Sequence, residues 1–358
     1  MHKTPLHAWH LDHQGRMVPF AGWEMPVQYG PGILAEHEQT RKKASVFDIC
    51  HMGEFLISGE DAEEALGRVV THNLHKLRPG RAGYGFLLNQ DGGILDDLII
   101  YRLEQARFLL VVNAARIDHD REWLESLLPS AVALEDVSGQ TAKIDLQGPL
   151  SLEVLQGVVP GDWRNLGYFS FRKLLFQGEE VLVSRTGYTG ELGYEIYLPS
   201  SSALAFWEAC LRDDRVLPAG LGARDTLRLE LGLPLYGQDL DEHHTPAEAG
   251  YAALLTSPAS YVGKGRQLDV RERLTPLLIP GRRSARHGDM VYGASGDVCG
   301  RVTSGSFAPS LGHAVALAYV NERLAEEPEF LIRTGKAELT ARRTTLPFYT
   351  QGTARIKL

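Results

Sequence analysis

The sequence predicts an α+β protein that ends in a small all-β unit, on three observations. Strand-like and helix-like segments alternate over roughly the first 270 residues. Near that point the texture changes to short apolar runs broken by glycines, and this continues for about 80 residues. The length, 358 residues, exceeds what a single hydrophobic core organises, so two or three domains are expected.

The elements follow in order. Ser58-Gly59-Glu60-Asp61-Ala62-Glu63-Glu64-Ala65-Leu66 offers an N-cap and then carboxylates for a positive first turn, which marks a helix start. Tyr84 to Asn89 reads as a short strand, Gln90-Asp91-Gly92-Gly93 as a turn, and Ile94 to Leu103 as a second strand, together a hairpin. Phe108 to Val112 adds a third strand, and Arg116 to Leu127 has the apolar spacing of an amphipathic helix. Val181 to Arg185 and Glu195 to Leu198 read as strands flanking a glycine-rich loop, with Ala203 to Leu211 helical after them. Past the charged stretch Arg271-Glu272-Arg273, the strands are Leu277 to Ile279, Asp289 to Tyr292, Val298 to Thr303, Val315 to Val320 and Glu329 to Ile332.

Composition excludes several functions. Forty-five acidic against 37 basic residues leave a net charge of −8, the opposite of the basic excess that nucleic-acid binding requires. The basic runs Arg41-Lys42-Lys43 and Arg282-Arg283 are too short to change that. The longest apolar stretch, Phe108 to Val112, is far too short to span a membrane, and His2 to Gln14 lacks the apolar centre of a secretory signal. Cys50, Cys210 and Cys299 are scattered and form no CxxC pair, so no disulfide scaffold is expected and a reducing cytoplasm is the expected home.

The common catalytic signatures are missing: no Walker sequence, no HExxH, no dinucleotide fingerprint. Ser170 and Lys173 match a four-letter Ser-xx-Lys pattern that arises often by chance. His72 and His75, and His243 and His244, read as solvated loop histidines rather than metal ligands, because no partners stand at ligand spacing.

Ile94-Leu95-Asp96-Asp97-Leu98-Ile99-Ile100-Tyr101 is more informative. In a strand, Leu95, Asp97, Ile99 and Tyr101 share one face, and Ile94, Asp96, Leu98 and Ile100 the other. Both faces are otherwise apolar, so at least one carboxylate is desolvated, which raises its pKa and suits it to proton handling or to a cationic ligand. The plainer account is that both aspartates cap the hairpin turn at Gly92 and Gly93; periodicity does not choose between them.

Glu195 opens an apolar strand after Arg185-Thr186-Gly187-Tyr188-Thr189-Gly190-Glu191-Leu192-Gly193. An inward carboxylate there needs a donor pair, either an arginine or the amidine-like face of a heterocycle. Arg224 and Arg228 lie one helical turn apart, as an anion-binding face or as a ladder paired with Asp225 and Glu230. The aromatic segment Phe20 to Tyr29 reads as core packing.

Taken in order, these segments resemble the aminomethyltransferase (T-protein) family of the glycine cleavage system. The resemblance rests on Phe20-Ala21-Gly22-Trp23-Glu24-Met25-Pro26-Val27-Gln28-Tyr29, Phe47-Asp48 with His51-Met52-Gly53, Gly92-Gly93-Ile94-Leu95-Asp96-Asp97-Leu98, Leu146-Gln147-Gly148-Pro149, Arg185 to Glu191, Gly222 to Glu230 and Leu235-Tyr236-Gly237. It continues through Val302 to Phe307 and Ala316 to Val320 to Leu346-Pro347-Phe348-Tyr349. It implies a three-domain cloverleaf around a central channel for tetrahydrofolate, with residues 1–272 forming two interleaved α+β domains and residues 273–358 a C-terminal β-barrel.

The implied reaction takes an aminomethyl group from the lipoyl arm of the H-protein, releases ammonia and yields 5,10-methylenetetrahydrofolate, with no metal. By the same resemblance Asp97 is the catalytic aspartate beside the folate N5–N10 region, and Glu195 accepts hydrogen bonds from the pterin. Arg224 contacts the pterin, Tyr188 and Tyr101 line the site, and Met52 and Asn113 are further channel positions. The chain departs from the family at Gly312 and His313, at Gly250 to Ser257, and at Thr350 to Leu358. A folate-dependent demethylase of small N- or S-methyl compounds would keep the folate site and change its mouth. A non-catalytic folate-binding relative would carry a Lys-Gly-Cys-Tyr motif, where this chain has Arg185-Thr186-Gly187-Tyr188.

Overall fold

Alternating apolar residues in the segment 81–112 produce three successive antiparallel strands, Arg81–Leu88, Ile94–Glu104 and Arg107–Val112. Gly53–Ser58 and Ala133–Asp136 extend them into a five-stranded sheet. The structure, a computed structural model, describes residues 1–335 and 337–358. One face of this sheet is apolar (Phe55, Ile57, Leu98, Ile100, Leu110) and is covered by helices Ala62–Gly67 and Ile117–Leu127, with Leu66 and Leu124 fully buried. The first of these helices starts later than its sequence promised: Ser58 ends a strand, and Asp61 is the N-cap.

The hairpin turn is closed by neither aspartate. Asn89 Oδ1 accepts the backbone N–H of Asp91 at 3.0 Å and of Gly93 at 2.9 Å, which releases Asp96 and Asp97 from capping duty. A register shift near Leu88 also turns Leu95 onto the face of Leu98 and Ile100 instead of that of Asp97. At Gly93 a Cβ would run into the Glu242 carbonyl, and Ile94 N–H points at the Asp241 and His244 carbonyls, both at 3.1 Å. The 241–244 loop is therefore seated directly on the start of the aspartate strand.

A second, six-stranded sheet runs in the order Phe171–Phe176, Glu179–Ser184, Gly193–Pro199, Thr141–Gln147, Ala44–Asp48, Val216–Pro218. Ile144, Leu146, Tyr194, Ile196 and Leu198 pack beneath it against helices Ser151–Val158 and Ala203–Leu211. The C-terminal part is a closed barrel of Glu272–Ile279, His313–Asn321, Val298–Ala308, Met290–Tyr292, Glu329–Arg333 and Glu338–Arg343. The last strand escapes sequence reading because only Leu339 and Ala341 of it are buried. The protein is thus of mixed α and β content with a C-terminal barrel. No described helix is long and apolar enough to cross a membrane.

Helix Leu221–Glu230 ties the barrel to the rest. Arg228 is held by Asp239 at 2.7 Å, by Ser304 of the barrel at 2.8 Å and by Asp225. Glu230 leaves the expected ladder for Arg41 at 2.8 Å. The segment 20–29 is a hairpin (Arg16–Phe20 with Trp23–Gln28), and within it Met25, Pro26 and Tyr29 are buried while Phe20 and Trp23 are only partly covered. His244 is not a solvated loop residue: it is buried, stacked on Tyr319 at 3.6 Å and flanked by Asp241 and Glu272.

Candidate active site

The two sheets turn one face each toward the other, meeting through Tyr101, Leu109 and Val111 on one side and Phe171, Leu182 and Tyr197 on the other. Period-two alternation decides what else enters this seam. On the aspartate strand Asp97, Ile99 and Tyr101 face it; on Thr141–Gln147, Lys143, Asp145 and Gln147 do; on Gly193–Pro199, Glu195 and Tyr197 do. Cross-strand register sets Glu195 opposite Asp145 and Tyr197 opposite Lys143. The residues Lys143, Asp145, Gln147 and Glu195 are between 0% and 3% exposed, so the seam is polar and desolvated at once.

Glu195 forms its floor. One oxygen accepts Thr186 Oγ1 at 2.6 Å and Tyr101 Oη at 3.2 Å; the other lies 3.3 Å from Lys143 Nζ. Burial works to raise its pKa, but Lys143, the Thr186 hydroxyl and Arg224 outweigh it and hold the carboxyl below the usual range. Tyr101 is fully buried beneath Glu195 rather than lining an open wall. Asp145 is raised by burial and by Glu195, and Arg224 Nη1 reaches it at 2.5 Å. The Arg224 guanidinium also covers the Tyr188 ring at 4.9 Å, and Tyr188 Oη donates to the Pro234 carbonyl.

Asp97 stands at the other, part-exposed end. Tyr84 Oη donates to Oδ2 at 2.9 Å and Asn113 Nδ2 to Oδ1 at 2.9 Å. No cation neutralises it, so burial, then the neighbouring Asp96, push its pKa up to about 7. Asn113 also donates to Asp96 through its side chain at 2.8 Å and its backbone at 2.9 Å. Asp96 faces the opposite side, fully buried against Asp120 of helix Ile117–Leu127, so the second aspartate of the pair is the one in the seam. Met52 lies beside Lys143, its Sδ 3.4 Å from Nζ.

The seven residues singled out from sequence lie along the seam: Asp97 and Asn113 at one end, Glu195, Tyr101 and Met52 at the floor, and Arg224, on Asp145 beside Glu195, covering Tyr188. Tyr84, Lys143, Asp145 and Thr186 were missed. For Lys143 and Asp145 the available signal was the alternation Ala142/Ile144/Leu146 against Lys143/Asp145/Gln147, which by itself reads as a solvated polar face. Among the described residues no three His, Cys, Asp or Glu side chains converge as a metal site.

Residues 6–257 match the GCVT N-terminal domain, and residues 272–350 match the Glycine cleavage T-protein C-terminal barrel domain. The chain belongs to the glycine cleavage T-protein family. It is similar to the aminomethyltransferase of Rubrobacter xylanophilus, 43% identical over 98% of this chain and 94% of that one. The aminomethyltransferase of Deinococcus deserti is likewise 43% identical, over 97% and 96%. The crystal structure of glycine cleavage system aminomethyltransferase T from Bartonella henselae superimposes with a TM-score of 0.93 at 33% identity, covering 98% of this chain and 99% of that one.

Proposed function

We propose that the chain is an aminomethyltransferase that uses tetrahydrofolate as co-substrate and the lipoylated H-protein of the glycine cleavage system as donor. It releases ammonia and forms 5,10-methylenetetrahydrofolate. One observation carries the reading: two carboxyls of opposite character, Asp97 and Glu195, face one seam from its two sheets.

The chemistry of the residues fits the pteridine. An ionised carboxylate accepts only, which suits the 2-amino and N3–H donors, and Glu195 is held ionised. Arg224 and Tyr188 would cover the ring. Asp97 has a pKa near the working range, so it can orient the nucleophilic nitrogen and stabilise positive charge as the carbon is transferred. Asn113 and Tyr84 fix its two oxygens. Met52 and Tyr101 act from the floor. In this reading residues 1–272, two interleaved α+β domains, supply the folate site, and residues 273–358 form the barrel domain that completes a cloverleaf around the central channel. A basic patch of Lys42, Lys43, Arg282 and Arg283 would meet the carrier; Lys42 is shared with Glu38 at 2.5 Å.

Incubation with tetrahydrofolate and aminomethylated lipoyl carrier should yield ammonia and methylenetetrahydrofolate. Product from methylated small donors alone would transfer the assignment to a demethylase, a reading that no observation here favours.

A further inference from the structure

Strand Gly53–Ser58 adds one residue to the seam that neither the resemblance nor the proposed mechanism uses. Its apolar side, Phe55 and Ile57, belongs to the helix-covered core, so Met52, Glu54 and Leu56 face the other way, toward the second sheet. Glu54 is 1% exposed, and neither carboxyl oxygen has a hydrogen-bond partner among the described residues. A carboxylate ion in that state has lost its water and gained nothing, so the side chain is held as the neutral acid. The groups facing it are Lys143 of Thr141–Gln147, Glu195 and Tyr197 of Gly193–Pro199, Asp136 of Ala133–Asp136, and Cys50. Lys143 is the one cation among them. It is 1% exposed and engaged with Glu195 Oε1.

The second observation concerns Glu195 itself. Its oxygens are already taken by Lys143, Thr186 and Tyr101. A pteridine donating two hydrogen bonds must displace part of this set. Thr186 and Tyr101 share Oε2 and can rotate there, but Lys143 alone holds Oε1, so a pteridine donating one hydrogen bond to each oxygen meets the ammonium, and a buried ammonium deprived of its carboxylate needs another acceptor. Among the described residues facing Lys143, Glu54 has both carboxyl oxygens without a hydrogen-bond partner and feels the ammonium's charge.

We propose that Glu54 is the second seat of Lys143: a neutral acid in the free protein, it receives the ammonium and releases its proton to solvent when a pteridine occupies Glu195. The proposal rests on the assignment of Glu195 to the pteridine. The balance is simple. The Glu54 O–H bond breaks, the proton leaves, Lys143 stays an ammonium, and one ion pair replaces another. Folate affinity consequently rises with pH while free Glu54 remains protonated, by up to tenfold per pH unit for one linked proton.

Calorimetric titration of the full chain with tetrahydrofolate near neutral pH, in buffers of different ionisation enthalpy, counts the protons. The Asp97→Asn background removes one other site carboxyl that titrates there, and Asp145, also raised by burial, is unchanged in every arm, so the Glu54-dependent difference is what counts. Asp97→Asn should release about one proton more than Asp97→Asn/Glu54→Gln. Lys143→Met in the same background should also abolish that extra release while Glu54 is intact, which covers a Glu54 variant that fails to fold. Undiminished release after Glu54→Gln overturns the proposal. A Glu195→Gln protein that binds folate as tightly as the parent overturns instead the pteridine assignment beneath it.

Discussion

Asp97 and Glu195 enter the same seam from facing sheets, yet their surroundings drive them in opposite directions. Glu195 is the more deeply buried and is nevertheless held ionised, because an ammonium and a hydroxyl cluster stand against it. Asp97 has neutral partners only, Tyr84 and Asn113, and rises to about 7. The difference shows that burial alone does not set a carboxyl's chemistry; the charge and donors of its neighbours do. One acid is built to accept hydrogen bonds permanently, the other to respond to charge created beside it.

The largest expected effect breaks the Asp97 side. Asp97→Asn keeps the shape and removes the charge, so turnover should fall by about 10²–10⁴-fold with folate affinity little changed, by steady-state kinetics and direct binding. Unchanged turnover removes Asp97 from the mechanism. Glu195→Ala should do the reverse, weakening tetrahydrofolate binding by about 2–3 kcal/mol, roughly 30- to 150-fold in Kd. Arg224→Ala leaves Asp145 buried without its hydrogen-bonded cation and should cost about 3 kcal/mol in denaturant unfolding; full stability would show that Lys143 takes over the pairing.

A subtler test uses pH. If turnover needs ionised Asp97, it should decline on acidification through about pH 7. Tyr84 donates to the charged form, so Tyr84→Phe disfavours ionisation and should move that limb to higher pH; a shift to lower pH would contradict the hydrogen bond's sign. The smallest effect belongs to the surface. Charge reversal at Arg282 and Arg283 should raise the KM for the carrier a few-fold at low salt, leaving folate affinity alone.

Much of the fold was legible where a strand or helix buries a face in its own neighbourhood. The hairpin around Gly92-Gly93, the helix Ala203–Leu211 and five of the barrel strands follow from apolar period and turn residues. The strand Glu338–Arg343 and the hairpin at 16–28 were missed because their side chains are half solvated and carry little period. In the site, the Asp96-Asp97 pair announced itself by interrupting an apolar run. Choosing between the two took the family resemblance, and the structure shows why the sequence was silent: both carboxyls are enclosed, one in the seam and one against Asp120.

The sequence by itself determined the elements, the change of texture near residue 270 and, through its ordered segments, the family. Only the tertiary structure decided that the polar edge of Thr141–Gln147 is interior. Alternation records that a strand has two unlike faces, but whether the polar one meets water or another sheet depends on chain segments far away. Lys143, invisible as a site residue on paper, is there the counter-ion of Glu195.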